Sequence, residues 1–233
     1  MIPLRDDNPS ELRPVVTIAL VALCTLAFLW QLSHGRQGGE AVIYSLGLIP
    51  SVLFGIHDLP PDLATIPPTL TLLTSMFLHG GWLHLIGNML YLWIFGDNVE
   101  DAMGHVRFIF FYLLCGVAAA LAQAIPDPQS TVPMVGASGA ISGVLGAYLL
   151  LYPHARVLVA IPLGFFLHTM RLPASVVLLF WFGLQFLSNV LTSSSDGGGV
   201  AFRAHIGGFV AGMVLVTVFK RRGFRLMNPI RTG

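Results

Sequence analysis

The feature that most restricts this chain is a series of apolar runs with no Asp, Glu, Lys or Arg. They are Pro14–Leu32, His79–Gly96, Phe108–Pro126, Met134–Pro153, Leu172–Leu191 and Ala204–Phe219. A helix of about 20 such residues crosses the roughly 30 Å hydrocarbon core of a bilayer. Charged residues make up 10% of the chain, against about 25% in a soluble domain, which is too few to cover a water-facing surface. The predicted fold is an all-α polytopic membrane protein with six transmembrane helices in a single domain over residues 1–233. A short polar segment of about residues 1–13 precedes the first span, and a basic tail of about 220–233 follows the last. The polar start and the length of the first run predict no cleavable signal peptide. Val157–Met170, broken by Pro162, reads as an interfacial connection between the fourth and fifth spans.

A net charge of +1 carries no nucleic-acid signal. Cys24 and Cys115 each lie inside an apolar run, so no disulfide framework is expected. Basic residues mark the cytoplasmic side of a membrane protein. With the N-terminus inside, ten of the twelve Lys and Arg fall on inner segments; Arg36 and Arg203 fall outside. Six spans with both termini cytoplasmic satisfy this count, whereas a seventh span would put the basic tail outside.

In this topology the second, fourth and sixth spans all begin on the outer side. Their first turns carry His84 and Asn88, Ser138, and His205, so orientation brings these polar groups to a similar depth. Any one of them alone reads most simply as a packing or helix-tying residue. Together they contain a nucleophile, a base and side-chain donors for an oxyanion, the minimum set for acyl transfer. Ser138 to Tyr152 gives a helix of about 22 Å, too short to cross the bilayer. Its start must lie below the surface, beside protein or a water-filled cavity. Gly139 and Gly143, and Ala204, Gly208 and Gly212, are spaced for close helix approach. No acid lies near Ser138 and His205 in this arrangement, so a Ser–His dyad is expected, with His84 and Asn88 on one helix face. His34, His57, His105, His154 and His168 fall in loops or at helix ends and are expected to be solvated. No metal-ligand spacing is present, and no metal or cofactor is expected.

At "HGGWLHLIGNM" (His79–Met89), "GASGAISG" (Gly136–Gly143) and "AHIGGFVAG" (Ala204–Gly212) the sequence resembles the rhomboid family of intramembrane serine proteases. "EDAMG" (Glu100–Gly104) fits the same pattern. The resemblance implies a six-helix bundle with a short central fourth helix. It implies Ser138 as nucleophile, His205 as general base, and His84, Asn88 and the Ser138 amide as oxyanion donors. His79, Gly136, Gly139, Gly208, Glu100 and Gly104 would be structural. The implied reaction is peptide hydrolysis in or near transmembrane segments of membrane-protein substrates in the bilayer, often after a small residue. The expected location is a bacterial cytoplasmic membrane, with the site opening outward. Two departures stand out. Many relatives carry an aromatic residue four positions after the nucleophile, where this chain has Ser142. Some carry Trp-Arg in the first loop, where it has Leu70-Thr71.

The bulky fifth span and the glycine-rich Thr192–Arg203 connection are expected to gate substrate entry, with Trp181 and Phe182 as gate residues. Two other functions compete with the protease. A catalytically inactive rhomboid-like protein that binds membrane clients would be expected to lack the serine or the histidine, and both are present. A transporter would be expected to show inverted repeats, and none is evident.

Overall fold

The computed structural model describes residues 1–163, 166–192 and 202–227. It is predominantly helical. The elements in chain order are β1 (Ile2–Asp6), α1 (Val15–Ser33), α2 (Gly35–Leu46), the single turns α3 (Pro50–Leu53) and α4 (Thr71–Thr74), α5 (Trp82–Met103), α6 (His105–Ala124), α7 (Ser138–Leu151), β2 (Arg156–Leu163), β3 (Phe166–Pro173), α8 (Ala174–Thr192) and α9 (Phe202–Phe219). Among the described residues α1, α6 and α9 are long and apolar enough to cross a membrane; Ser138–Leu151 and Ala174–Leu187 are shorter apolar helices. α5 has 22 residues, about 33 Å, but ends in Asp97, Glu100 and Asp101.

α7 is the axis of the bundle. Every residue from Gly139 to Leu149 is buried, among α5, α6 and α9. Absent side chains make this possible. A Cβ at Gly208 would collide with the Gly139 carbonyl, and one at Gly212 with the Gly143 carbonyl. The two backbones touch directly, the close approach that the small-residue spacing predicts. Gly139 itself serves another neighbour: a Cβ there would come 2.6 Å from the Ala119 Cβ on α6.

The bundle is not all-α. β1, β2 and β3 form a three-stranded antiparallel sheet in that order. The stretch read as an interfacial connection is a β-hairpin running from Arg156 to Pro173, and residues 2–6 of the polar N-terminal segment pair with it. Pro162 sits beyond the part of β2 that pairs with β1, so its missing N–H costs no bond on that side. Val157 and Val159 are buried while β3 is exposed along nearly its whole length. The hairpin follows the end of α7 and precedes α8, and the Ala174 and Ser175 amides bond to the Ala155 and Pro153 carbonyls. The sheet therefore caps one end of the bundle.

That sheet end is tied together by buried polar groups. Glu100, fully buried, accepts from the Val16 and Thr17 amides and the Thr17 hydroxyl at 2.8–2.9 Å. A carboxylate placed on the first free amides of α1 both satisfies them and complements the helix dipole. His105 is not simply solvated: its Nδ1 lies 2.6 Å from Glu100. Asp101 accepts from the Glu11 amide and pairs with Arg221 at 3.1 Å. Gly104, at φ +80°, makes the turn from α5 to α6 that a side chain would strain. Tyr148, near the end of α7, donates to the Asp6 carboxylate. Burial pushes Asp6 up to about 7, against the opposing effect of that hydrogen bond.

Candidate active site

The opposite end of the bundle contains a cavity of about 700 Å³. Ser138 is the first residue of α7, and the chain entering it is not helical. That segment bonds to other main chain instead: Met134 and Leu48 exchange two bonds, and the Gly136 amide donates to the Ser75 carbonyl at 2.8 Å. The Met134 and Gly136 main-chain groups are thereby satisfied by protein. α7 has no side-chain cap, so its first amides are left available at the cavity.

His205, in the first turn of α9, places Nε2 2.9 Å from Ser138 Oγ. The contact between α7 and α9 backbones sets this distance. His205 is 8% exposed, so its ring is held by its surroundings. His84 projects from the first turn of α5 toward the same serine. The Gly80 amide donates to His84 Nδ1 at 3.3 Å. In neutral imidazole the proton is then on Nε2, the nitrogen beside Gly136. Gly136 has φ +127°, and a Cβ there would come 2.7 Å from the His84 Cε1 and Nε2 atoms and 3.7 Å from Ser138 Oγ. Glycine at this position is needed for both the backbone and the space. Asn88, one turn after His84, lines the cavity and uses one amide proton on the His84 carbonyl at 3.0 Å; the second proton is unused by that bond. His84, Asn88 and the start of α7 thus line one cavity with Ser138.

The remaining sequence-selected residues lie around this core. His79 is fully buried, and its main chain is clamped by Gln31 of α1, whose Nε2 donates to the His79 carbonyl at 3.0 Å. Its ring meets that of His84 at 5.2 Å between centroids. Ser142 is buried, and its hydroxyl donates back to the Ser138 carbonyl at 2.6 Å. Both expected gate residues pack on Phe209 of α9, Phe182 at 4.6 Å and Trp181 at 6.2 Å between ring centroids. Trp181 also meets Tyr91 of α5, 6.4 Å away, and His205, 5.9 Å away. Residues 193–201 of the expected gate connection lie outside the described residues.

Sequence reasoning missed Gln185. Its Oε1 is 2.7 Å from His205 Nδ1. The available signal was an amide in a charge-free run, four residues after Trp181 and hence on the same helix face.

The family model described as the rhomboid domain matches residues 68–222. This chain belongs to the rhomboid family. It is 35% identical over 204 residues to rhomboid protease GluP of Bacillus subtilis (strain 168), covering 87% of this chain and 35% of that protein. It is 27% identical over 194 residues to rhomboid protein 1, mitochondrial, of Saccharomyces cerevisiae (strain ATCC 204508 / S288c), covering 74% of this chain and 51% of that protein. RHOMBOID-like protein 5 of Arabidopsis thaliana matches at 40% over 78 residues, 34% of this chain and 25% of that protein. The chain thus spans about a third of GluP and about half of the yeast relative. Rhomboid membership and the long apolar helices identify an integral membrane protein.

Proposed function

We propose that this chain is an intramembrane serine endopeptidase that hydrolyses peptide bonds in or near transmembrane segments of other membrane proteins. The observation that carries the proposal is the 2.9 Å approach of His205 Nε2 to Ser138 Oγ in a cavity also lined by His84 and Asn88. The Ser138 hydroxyl attacks the scissile carbonyl carbon as its proton passes to His205 Nε2. The oxyanion that forms is met by His84 Nε2–H, the Asn88 amide and the Ser138 main-chain N–H. Preorganised donors of this kind stabilise the transition state more than the ground state. As the C–N bond breaks, His205 returns the proton to the departing amine. A water molecule, deprotonated by the same nitrogen, then releases the acyl group and restores Ser138.

The proposed topology has six spans, with the sheet end in the cytoplasm together with both termini and the cavity toward the outer side. The basic residues support it: Arg5, Arg156, Arg171 and Arg221 cluster at the sheet end. A bacterial cytoplasmic membrane is the location this orientation fits. The competing reading, an inactive client-binding protein, leaves the Ser138–His205 approach without a purpose.

The test is purified protein in liposomes with a panel of single-span substrates and a fluorophosphonate probe. Wild type is expected to cleave and to label at Ser138, and His205→Ala to lose both. Cleavage that survives in Ser138→Ala rejects the proposal.

A further inference from the structure

We infer that α8, the helix expected to act as a gate, is also the element that orients the base, and that Gln185 is a positioning residue for His205. The inference rests on the Ser–His reading of the site. For His205 to take the Ser138 proton, Nε2 must carry a lone pair and Nδ1 must carry the hydrogen. Nδ1–H then needs an acceptor, and among the described residues the one hydrogen-bonded to it is an amide, not a carboxylate. Gln185 Oε1 lies 2.7 Å from Nδ1. The opposite amide orientation fails chemically. It would set N–H against N–H, or turn Nδ1 into an acceptor and leave Nε2 protonated and unable to act as base.

The ring plane is held by the same helix. Where many relatives place an aromatic residue four positions after the nucleophile, Ser142 is occupied with the Ser138 carbonyl. Trp181, one turn before Gln185, lies 5.9 Å from the imidazole at an interplanar angle of 37°. Phe202 meets it edge-on at 6.5 Å. α8 thus supplies both the hydrogen bond that selects the tautomer and a ring that backs the imidazole. α8 is also held through Phe182 and Trp181 against Phe209 and by the buried Val177 and Leu178, while Leu184, Phe186 and Leu187 are exposed.

A consequence follows for substrate entry. Outward displacement of α8 opens the cavity and at the same time withdraws the partner of Nδ1. Chemistry then requires α8 to be seated, so an enzyme whose α8 is permanently loosened is a slower one. A helix serving only as a gate predicts the reverse: trimming Trp181 would speed cleavage.

The experiment compares wild type, Ser138→Ala, Gln185→Met, Gln185→Glu and Trp181→Ala in liposomes on one single-span substrate. Fluorophosphonate labelling rates and 15N spectra of the histidine rings are measured alongside, with the His205 signals identified by their loss in His205→Ala. Gln185→Met keeps the length of the side chain and removes the acceptor. It is expected to lower kcat about tenfold to a hundredfold with KM little changed, and to move the His205 signals away from the Nδ1–H tautomer. Gln185→Glu restores an acceptor oxygen and recovers most of the rate. Trp181→Ala slows cleavage. If Gln185→Met does not fold, Gln185→Ala carries the same comparison. Wild-type kcat and unmoved 15N signals in a folded Gln185 variant overturn the inference, as does faster cleavage by Trp181→Ala. Absence of Ser138 labelling in wild type, or cleavage by Ser138→Ala, rejects the protease reading instead.

Discussion

The two ends of the bundle are built for different purposes. At the sheet end, chain termini and helix ends converge on buried polar groups. Glu100 holds the start of α1, Asp101 holds Arg221 and Glu11, and Asp6 receives Tyr148. At the cavity end, polar groups converge on open space. His84, Asn88 and the first amides of α7 keep hydrogen-bonding capacity that packing does not consume. A buried polar group with its partners made adds rigidity; one left facing a cavity is available for chemistry. The shared axis is α7, whose first residue is Ser138 and whose last turns contain Tyr148. Substitutions at the two ends should therefore separate rate from stability.

The largest expected effect is at the cavity end. Ser138→Ala should lower kcat by as much as on the order of 10⁶-fold and abolish fluorophosphonate labelling. Its melting temperature in detergent should match wild type, because alanine keeps the helix start small. The companion Ser142→Ala should keep cleavage and labelling, since its hydroxyl serves a carbonyl of its own helix. Next is Asn88→Ala, which removes one oxyanion donor and should cost about 10²–10³ in rate. The serine should still label and the fold should hold; full activity would remove Asn88 from the site.

At the sheet end the readout reverses. Glu100→Ala leaves the Val16 and Thr17 amides buried without their acceptor, and should cost about 3 kcal/mol of stability. Thermal melting would show this, and the fraction that remains folded should label at the wild-type rate. A stability loss accompanied by a proportionate loss of labelling in the folded fraction would break the division between the two ends.

The smallest effect is a pH dependence. Asp6 is pushed from its ordinary 3.8 to about 7 by burial. The folded protein then binds a proton that the unfolded chain has released between these values, so this group makes stability fall as pH rises through that window. Docking of β1 should be tightest below about 4 to 5 and weakest above about 7. Melting temperatures of wild type and Asp6→Asn, followed from pH 4 to 8, should diverge in slope, the Asn variant being flatter. Equal slopes would remove Asp6 as the titrating group.

Much of the bundle was legible from local pattern. Each of the six long apolar runs contains a helix, because a helix that meets lipid or other helices has no use for charge. The short helix read from Ser138 to Tyr152 is close to the observed Ser138–Leu151, and the glycines at 208 and 212 signalled a backbone contact that the structure contains. The hairpin from Arg156 to Pro173 was not legible. An apolar stretch of that length fits a short helix, a strand or an interfacial loop equally well, and its partner β1 lies in a segment that reads as a polar tail.

What the sequence determined by itself was the solvent, the set of helices and the kinds of chemical group available. These depend on composition and on spacing along one element, which a linear chain states directly. The tertiary structure decided which groups meet. Gly136 is required because His84 arrives from another helix to occupy the space of its side chain. Phe182 and its neighbour Trp181 both pack on Phe209, and Trp181 also meets His205. Gln185 finds the His205 ring nitrogen that faces away from Ser138. Contacts between helices far apart in the chain depend on rotation and depth of each helix in the bundle, and no spacing within one run encodes them.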